Sequence, residues 1–588
     1  MPPPTAILPK TKGGAFLIEE RAPDEIFTAE DLTEQHLAIA RTVDEFWAQE
    51  VDPNLPSILN QTPGAALAVL KKAAPLGLTA ISIPEKFGGM ELDLASEVIA
   101  TEHLGRDGSY AGWHSGHTGI GTLPVLYFGT EAQKQKYLPK LANMEMLSAY
   151  ALTEPQAGSD ALAARTRADL TPDGAAYLLN GQKMWITSGG EADLFTVFAK
   201  VGGEKFTAFL VERGFGVKSG AEEQKMGLKG SSTTALYFDN VRVPAENVLG
   251  EIGRGHIIAL NVLNIGRLKM GPACVGCAKD VLALSLRYAK ERKAFGSAIA
   301  EFGAIRHKLA EMAIRTFAAE SIFWRVVGLI ESRLAGFSWD RPGASETMLR
   351  AIEEYAAECS LVKVFSSEML DYVVDEAVQI HGGYGYHQDY AVERAYRDSR
   401  INRIFEGTNE INRLVMTGML LKRSARGRLP LMAEARKTLD EALAGRAAPE
   451  GDAESGLVAN AKKIALLSIG LADQTCREAL DKQQEILMSV ADMMMEAFAM
   501  ESVLLRTRKL AAAGKGANAR DCCAVFLRDA MARIEGAARL VLGACAEGEG
   551  LRANLAAVRR LAACEPVNAV ALRRQIAGRL LPGERYAV

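Results

Sequence analysis

The sequence has no apolar run approaching 18 residues, so no stretch of it is expected to span a membrane. Its first twenty residues, MPPPTAILPKTKGGAFLIEE, hold neither the apolar segment of a secretion signal nor an Arg-rich amphipathic pattern, and a cytoplasmic protein is expected. Charge of one sign is not in excess. The net charge of -4 over 588 residues gives no general attraction to nucleic acid or anionic lipid. The eight cysteines are scattered, as reduced thiols would be. One lone CxxC, Cys274 and Cys277, has no second pair and no nearby histidine pair, so no metal site is expected. A dinucleotide fingerprint is also missing. The stretch GGYGYH (382–387) lacks the third glycine and no strand precedes it, and nowhere do strands and helices alternate as in a doubly wound nucleotide domain. Any nucleotide must be held another way.

Nearly half of the residues are apolar, and the chain is too long for one core. The spacing predicts helices over 30–149, beginning after Thr28 as N-cap with Glu30 and Asp31 in the first turn. From 150 to 251, short β-rich runs broken by Asn-Gly and Gly-Gly predict a small antiparallel β domain. Long helical periodicity returns over 252–421 and predicts a bundle. Residues 422–455, rich in Ala, Gly, Arg and Pro, read as a connector with one short amphipathic helix, and 456–588 as a further helical domain. The fold class is therefore mainly α with a middle β domain. Residues 421–588 carry about +6 and leave about -10 on the first 420. That basic tail is either a solvated helical face or a surface for an anionic partner. The amphipathic stretch 430–446 leaves a peripheral membrane contact open.

Several short stretches carry chemistry. In RIFEGTNEI (403–411), Glu406 stands between Phe405 and Gly407; an apolar wall desolvates a carboxylate and raises its basicity, whereas a lone Glu is usually just solvated. In YALTEPQAGSDA (150–161), Thr153 and Ser159 offer hydroxyls and Gly158 admits a ligand to the backbone, although a polar turn has the same composition. In KMWITSGG (183–190), Trp185 and Thr187 fall two apart in a probable strand and should share a face, which suits a flat heterocycle. Arg292 in RKAFG ends a helix, where it grips a phosphate or answers the helix dipole.

The stretches TEPQAGSD, MWITSGG, KGSSTTALYFDNVRVP, RKAFG, QIHGGYGY and RIFEGTNEI together resemble the signatures of the acyl-CoA dehydrogenase family, in the family's order, across about 35–421. The C-terminal helical segment resembles the extension of the very-long-chain branch. The resemblance implies an N-terminal helical domain, a β-barrel domain, a four-helix bundle and an extra helical domain, with FAD bound at a subunit interface of a homodimer. It implies that Tyr150, Leu152, Thr153, Gly158 and Ser159 run along the flavin, with Ser159 also near the substrate's CoA arm, and that Trp185 and Thr187 cover the flavin ring. Arg292, Phe295, Phe302, Gln379 and Gly383 would hold the ADP half, partly from the second subunit. Thr408 and Glu410 would touch the flavin. Asn264, Arg267 and Gly407 would contact substrate, and Glu406 would be the catalytic base. Some family members carry the base one residue before the arginine matching Arg267; here that position is Gly266. By the same resemblance, Gly119 and Gly121 leave the bottom of the acyl pocket open for a long-chain acyl-CoA, and electrons pass to electron-transfer flavoprotein. The family also leaves open an oxidase, an assembly factor, or a relative that binds DNA through a basic C-terminal domain.

Overall fold

The structure, a computed structural model, describes residues 8–444 and 452–588. The first seven residues of the N-terminal stretch and residues 445–451 of the expected connector, including the end of the 430–446 stretch, lie outside them. Seven helices make the N-terminal layer: α1 (Glu34–Phe46), α2 (Leu55–Leu59), α3 (Ala65–Ala73), α4 (Leu94–Leu104), α5 (Gly108–Ser115), α6 (Leu123–Phe128) and α7 (Glu131–Ala142). The first begins later than expected. Thr28 opens only a 3-10 turn, Ala29–Asp31, in which the Asp31 carboxylate accepts from the Thr28 N–H (2.8 Å). Extended backbone at Leu32 then breaks the run, and Thr33 caps α1. A π-helical turn, Gly116–Gly121, joins α5 to α6.

The β domain holds β1 (Ser148–Ala151), β2 (Arg167–Leu170), β3 (Ala176–Thr187), β4 (Leu194–Val201), β5 (Lys205–Glu212), β6 (Lys218–Glu222), β7 (Thr233–Pro244) and β8 (Val248–Leu249). The sheet runs β6-β7-β3-β2-β4-β5-β8, with β1 paired to β4. It is not wholly antiparallel: β1 and β2 both run parallel to β4. Long crossovers, not hairpins, bring these two edges together, so no turn signal marks their pairing. The β3–β7 ladder slips twice, at Leu179/Gly181 and between Lys183 and Ile186.

The bundle comprises α8 (Gly255–Glu291), a short hairpin of β9 (Lys293–Ala294) and β10 (Ser297–Ala298), α9 (Gly303–Arg333), α10 (Ala344–Glu354), α11 (Ala356–His381), α12 (Ala391–Ser399) and α13 (Asn409–Ala425). Leu268, Val275 and Leu282 of α8, Phe317 and Phe323 of α9, and Leu361 and Val362 of α11 are fully buried in its core. Each such side chain contributes roughly 1.5–3 kcal/mol of transfer free energy. The last helices are α14 (Leu431–Leu443), α15 (Ala453–Cys476), α16 (Gln484–Ala512), α17 (Ala517–Cys545), α18 (Gly548–Ala562) and α19 (Ala569–Leu580).

Two expectations about membranes change here. The apolar stripe of α14, Leu431, Ala435 and Leu439, is buried against α15, so it faces protein and not a bilayer. Conversely, the helical stretch Ala453–Lys482 is long and apolar enough to span a membrane by composition, with mean hydropathy 1.2, although no unbroken apolar run announces it. It is the central helix of the C-terminal domain, covered by α14, α16 and α17, and 78% of its apolar window is buried.

Residues 8–31 strap the bundle to the C-terminal domain. Phe16 packs edge-on against Phe498 of α16, with ring centroids 4.8 Å apart, and Phe27 packs on Trp324 of α9 at 5.8 Å. Buried Arg506 of α16 meets Glu30 of the strap (2.8 Å) and Glu320 of α9 (2.7 Å), so one guanidinium ties three elements.

Candidate active site

Glu406 lies in the turn that leads into α13, on left-handed backbone (φ +58), followed by Gly407 at φ +81. A non-glycine residue in that region is strained and is held there by its surroundings. The residue is only half-buried, but its Oε2 is sealed from solvent and has no hydrogen-bond partner among the described residues. Burial raises its pKa to about 7, against the opposing pull of the Arg267 and Lys363 charges. The carboxylate rests on Gly266 of α8. A Cβ built there would lie 2.8 Å from the Glu406 carboxyl carbon and closer still to Oε2. A side chain at 266 and the Glu406 carboxylate therefore compete for one space, which accounts physically for a base at one position or the other.

A cage of donors holds this turn. Arg267 Nε donates to the Glu406 carbonyl (3.2 Å). Asn412 Nδ2 reaches the carbonyls of Glu406 (3.3 Å), Gly407 (2.7 Å) and Thr408 (3.0 Å). Lys363 Nζ, on α11 and fully buried, donates to the Gly407 carbonyl (2.9 Å) and to Asn409 Oδ1 (2.6 Å). Burial lowers the Lys363 pKa to about 8. Arg267 and Asn264, expected at the substrate, are both buried and bonded to each other (3.1 Å), so here they brace the turn. Lys363, Asn409 and Asn412 were not singled out from the sequence, and Gly266 only as a position without a second base. Asn409 and Asn412 lie within or beside RIFEGTNEI, but Lys363 is 43 residues away from Glu406, with no local signal.

Tyr150 of β1 is buried, its hydroxyl is unpartnered among the described residues, and burial and then the Glu406 charge push its pKa well above the ordinary range. Leu152 is buried beside it. The segment is pinned to β3, with the Met184 N–H donating to the Thr153 carbonyl (2.9 Å) and buried Lys183 Nζ to the Leu152 carbonyl (3.2 Å). Lys183 also pairs with buried Glu154 (2.7 Å). Gly158 and Ser159 follow in an exposed turn. The next residue of β3 after this anchor is Trp185, at φ +61 within a bulge and 54% exposed. Simple two-residue alternation therefore does not hold there. The bulge re-aims the indole, and Ile186 alone turns into the core. Thr187 approaches Gly116, where a Cβ would lie 3.3 Å from its methyl. Thr408 caps α13 by accepting from the Ile411 N–H (3.3 Å), and Glu410 is exposed in the first turn.

The remaining expected residues form a second cluster. Arg292, at the end of α8, stacks on Tyr384 (5.6 Å), and Phe295, 98% exposed at the hairpin tip, meets the Phe302 ring at 6.1 Å. Gln379 and Gly383 are exposed at the end of α11 and in the turn after it. Arg267 and Arg292 are 25 residues apart on one helix, roughly 37 Å at 1.5 Å per residue. One chain thus carries the two clusters far apart along α8, one about a third of the way in and one at its C-terminal end.

Two expected pocket glycines are placed differently from the reading above. Gly121 is packed on β1, where a Cβ would meet Ser148 Oγ at 2.5 Å. Gly119 faces the buried Lys269–Glu97 ion pair (2.9 Å). Close packing requires glycine at 121, whereas a Cβ at 119 would make only ordinary contact with Lys269 Nζ, at 3.6 Å.

Four family models match the chain. They describe the acyl-CoA dehydrogenase N-terminal domain (33–145), middle domain (149–241) and C-terminal domain (253–421), and a second acyl-CoA dehydrogenase C-terminal domain (460–560). A probable acyl-CoA dehydrogenase of Bacillus subtilis is 47% identical over 585 residues, 98% of either chain. The human mitochondrial very long-chain specific acyl-CoA dehydrogenase is 40% identical over 396 residues, 66% of this chain and 57% of that protein. A crystal structure of an acyl-CoA dehydrogenase from Bacillus anthracis complexed with FAD superposes with a TM-score of 0.96 at 47% identity, covering 98% of this chain and all of that one. The residues present suit that cofactor: a half-exposed indole on re-aimed backbone, hydroxyls at Thr153 and Thr187, and a carboxylate oxygen and a phenol that have no partner among the described residues.

Proposed function

This chain belongs to the acyl-CoA dehydrogenase family and is an FAD-dependent oxidoreductase, and from that premise we propose that it converts long-chain acyl-CoA to trans-2-enoyl-CoA with Glu406 as base. The observation that carries the reading is the Glu406 carboxylate: its Oε2 is sealed from solvent and unpartnered among the described residues, its pKa is raised to about 7, and it rests on Gly266, where a side chain would collide with it. Bound FAD supplies the acceptor for the β-hydride. Tyr150, Leu152, Thr153, Gly158, Ser159, Trp185, Thr187, Thr408 and Glu410 are the residues that would hold its flavin half.

The chain's own part is to take the α-proton at Glu406 and to exclude water while it does so. A carboxylate with a pKa near the working pH is basic enough to act and is still substantially ionised. The Glu406 N–H has no partner among the described residues and is free to polarise a thioester carbonyl, which acidifies the α-carbon. Phe405, 37% exposed, stands at the rim of the site, where a bound acyl chain would complete the apolar wall.

Arg292, Phe295, Phe302, Gln379 and Gly383 would take the ADP half of FAD in a neighbouring copy. Their distance along α8 from Glu406, and the bare Phe295, support a homodimer with sites completed across the interface. The long-chain preference is supported by the similarity to very long-chain specific relatives, no longer by the two glycines. Electron-transfer flavoprotein is the proposed acceptor.

Anaerobic titration of the FAD-loaded protein with palmitoyl-CoA should bleach the flavin, and Glu406→Gln should abolish bleaching while keeping the cofactor. Bleaching with butyryl-CoA alone would overturn the long-chain reading, and bleaching in Glu406→Gln would overturn the base.

A further inference from the structure

The C-terminal helical domain touches the active-site turn through an unbroken series of polar contacts. Lys363 Nζ holds the Gly407 carbonyl (2.9 Å) and Asn409 Oδ1 (2.6 Å). The other end of that amide, Asn409 Nδ2, donates to Glu368 Oε1 (2.9 Å) and Ser367 Oγ (3.1 Å). Glu368 takes both arms of Arg413 (2.7 and 2.9 Å), a bidentate geometry that fixes the guanidinium plane. Arg413 Nε then donates to Asp492 Oδ1 (2.7 Å) on α16.

The members suit the task. Lys363 and Asn409 are buried to within 2%, where a missing partner is costly. The turn they grip has two consecutive left-handed residues, one of them not glycine, so it needs external restraint. Asn409 is satisfied in one amide orientation only, since Lys363 can only donate and Glu368 can only accept. The series crosses from α11 to α13 and on to α16, joining the catalytic turn to a domain that contributes no residue to the site described above.

We propose that Asp492, acting through Arg413, Glu368, Asn409 and Lys363, positions the Glu406–Gly407 turn, so that the C-terminal domain is a working part of the active site. Lys363 and Asp492 are positioning residues, not catalytic ones. The proposal rests on Glu406 being the base.

The test uses the full-length, FAD-loaded protein. Asp492→Asn keeps the shape of a side chain that is 40% exposed and should leave the fold intact. Hydrogen exchange of peptides covering 403–412 should quicken in Asp492→Asn. Single-turnover flavin reduction by palmitoyl-CoA should slow about 3- to 10-fold with little change in the concentration dependence. The control is Glu496→Gln, which breaks a pair with Arg533 (2.6 Å) inside the C-terminal domain and should alter neither. Lys363→Met should slow reduction by about 30-fold or more, and adding Asp492→Asn to it should slow it no further, the sign of a shared path.

Two charged groups act on Glu406, Arg267 from α8 and Lys363 from α11, while the Tyr150 phenol facing it from β1 is neutral, held so by burial and by the Glu406 charge. Loss of the Lys363 charge should therefore move the acid limb of reduction to higher pH, which loosened packing alone would not do. Unchanged exchange and rate in Asp492→Asn, or an additive double variant, would overturn the proposal. Glu406→Gln run in parallel separates the two readings: if it still bleaches, the base is wrong; if it does not, a silent Asp492→Asn condemns the relay alone.

Discussion

At the residue scale, Glu406 links burial to acidity. Its folded pKa, about 7, lies above the ordinary carboxylate value, so the folded chain retains a proton that the unfolded chain releases at lower pH. Its contribution to stability therefore falls as pH rises from the ordinary value through about 7. Glu406→Gln should raise the unfolding midpoint more at pH 8 than at pH 5, by an amount equivalent to roughly 1–3 kcal/mol, read by thermal denaturation at both pH values. The same titration predicts a flavin-reduction rate that climbs with pH and levels off above about 7, because only the ionised base works. Gly266→Ala is the complementary change. Its Cβ would displace the carboxylate, and reduction should slow by about 100-fold with FAD still bound, as measured by stopped-flow absorbance.

At the element scale, helix ends and a strand irregularity set the chemistry. Thr408 caps α13 directly after the catalytic turn, and Thr408→Ala should cost about 1 kcal/mol in urea unfolding. The motif around Glu406 was legible because turn, base and cap are contiguous in RIFEGTNEI. The bundle helices were legible because apolar spacing reports one buried face whatever the partner. The cage was not legible: Lys363 sits in an ordinary helical pattern on α11, and only packing of α11 against α13 turns its ammonium to the Gly407 carbonyl. Trp185 and Thr187 were picked out by composition, but alternation could not foresee a bulge, since an extra strand residue leaves no mark in a two-residue period. Likewise Gly121 read as open space, whereas Ser148 of β1 fills the space beside it.

At the scale of the whole molecule, buried charge joins the domains. Arg506 lies between Glu30 and Glu320, and Glu320 also pairs with Lys279. Taking away one member leaves buried carboxylate underpaired, so Arg506→Met should lower stability by about 3 kcal/mol in equilibrium denaturation. The +6 of residues 421–588 had left an anionic partner open, and part of that charge is internal: Arg506, Arg573 and Lys462 all pair with acids inside the fold.

The strap of residues 8–31 has a consequence for the order of events in synthesis. Lys509 grips the Ile26 carbonyl across 483 positions of chain, and Phe16 waits for Phe498. The strap leaves the ribosome long before α16 does, and it can find its seat only once that helix has followed. Closing so long a loop is entropically late, which makes strap docking a final step and Phe16 and Phe27 apolar surface exposed throughout translation.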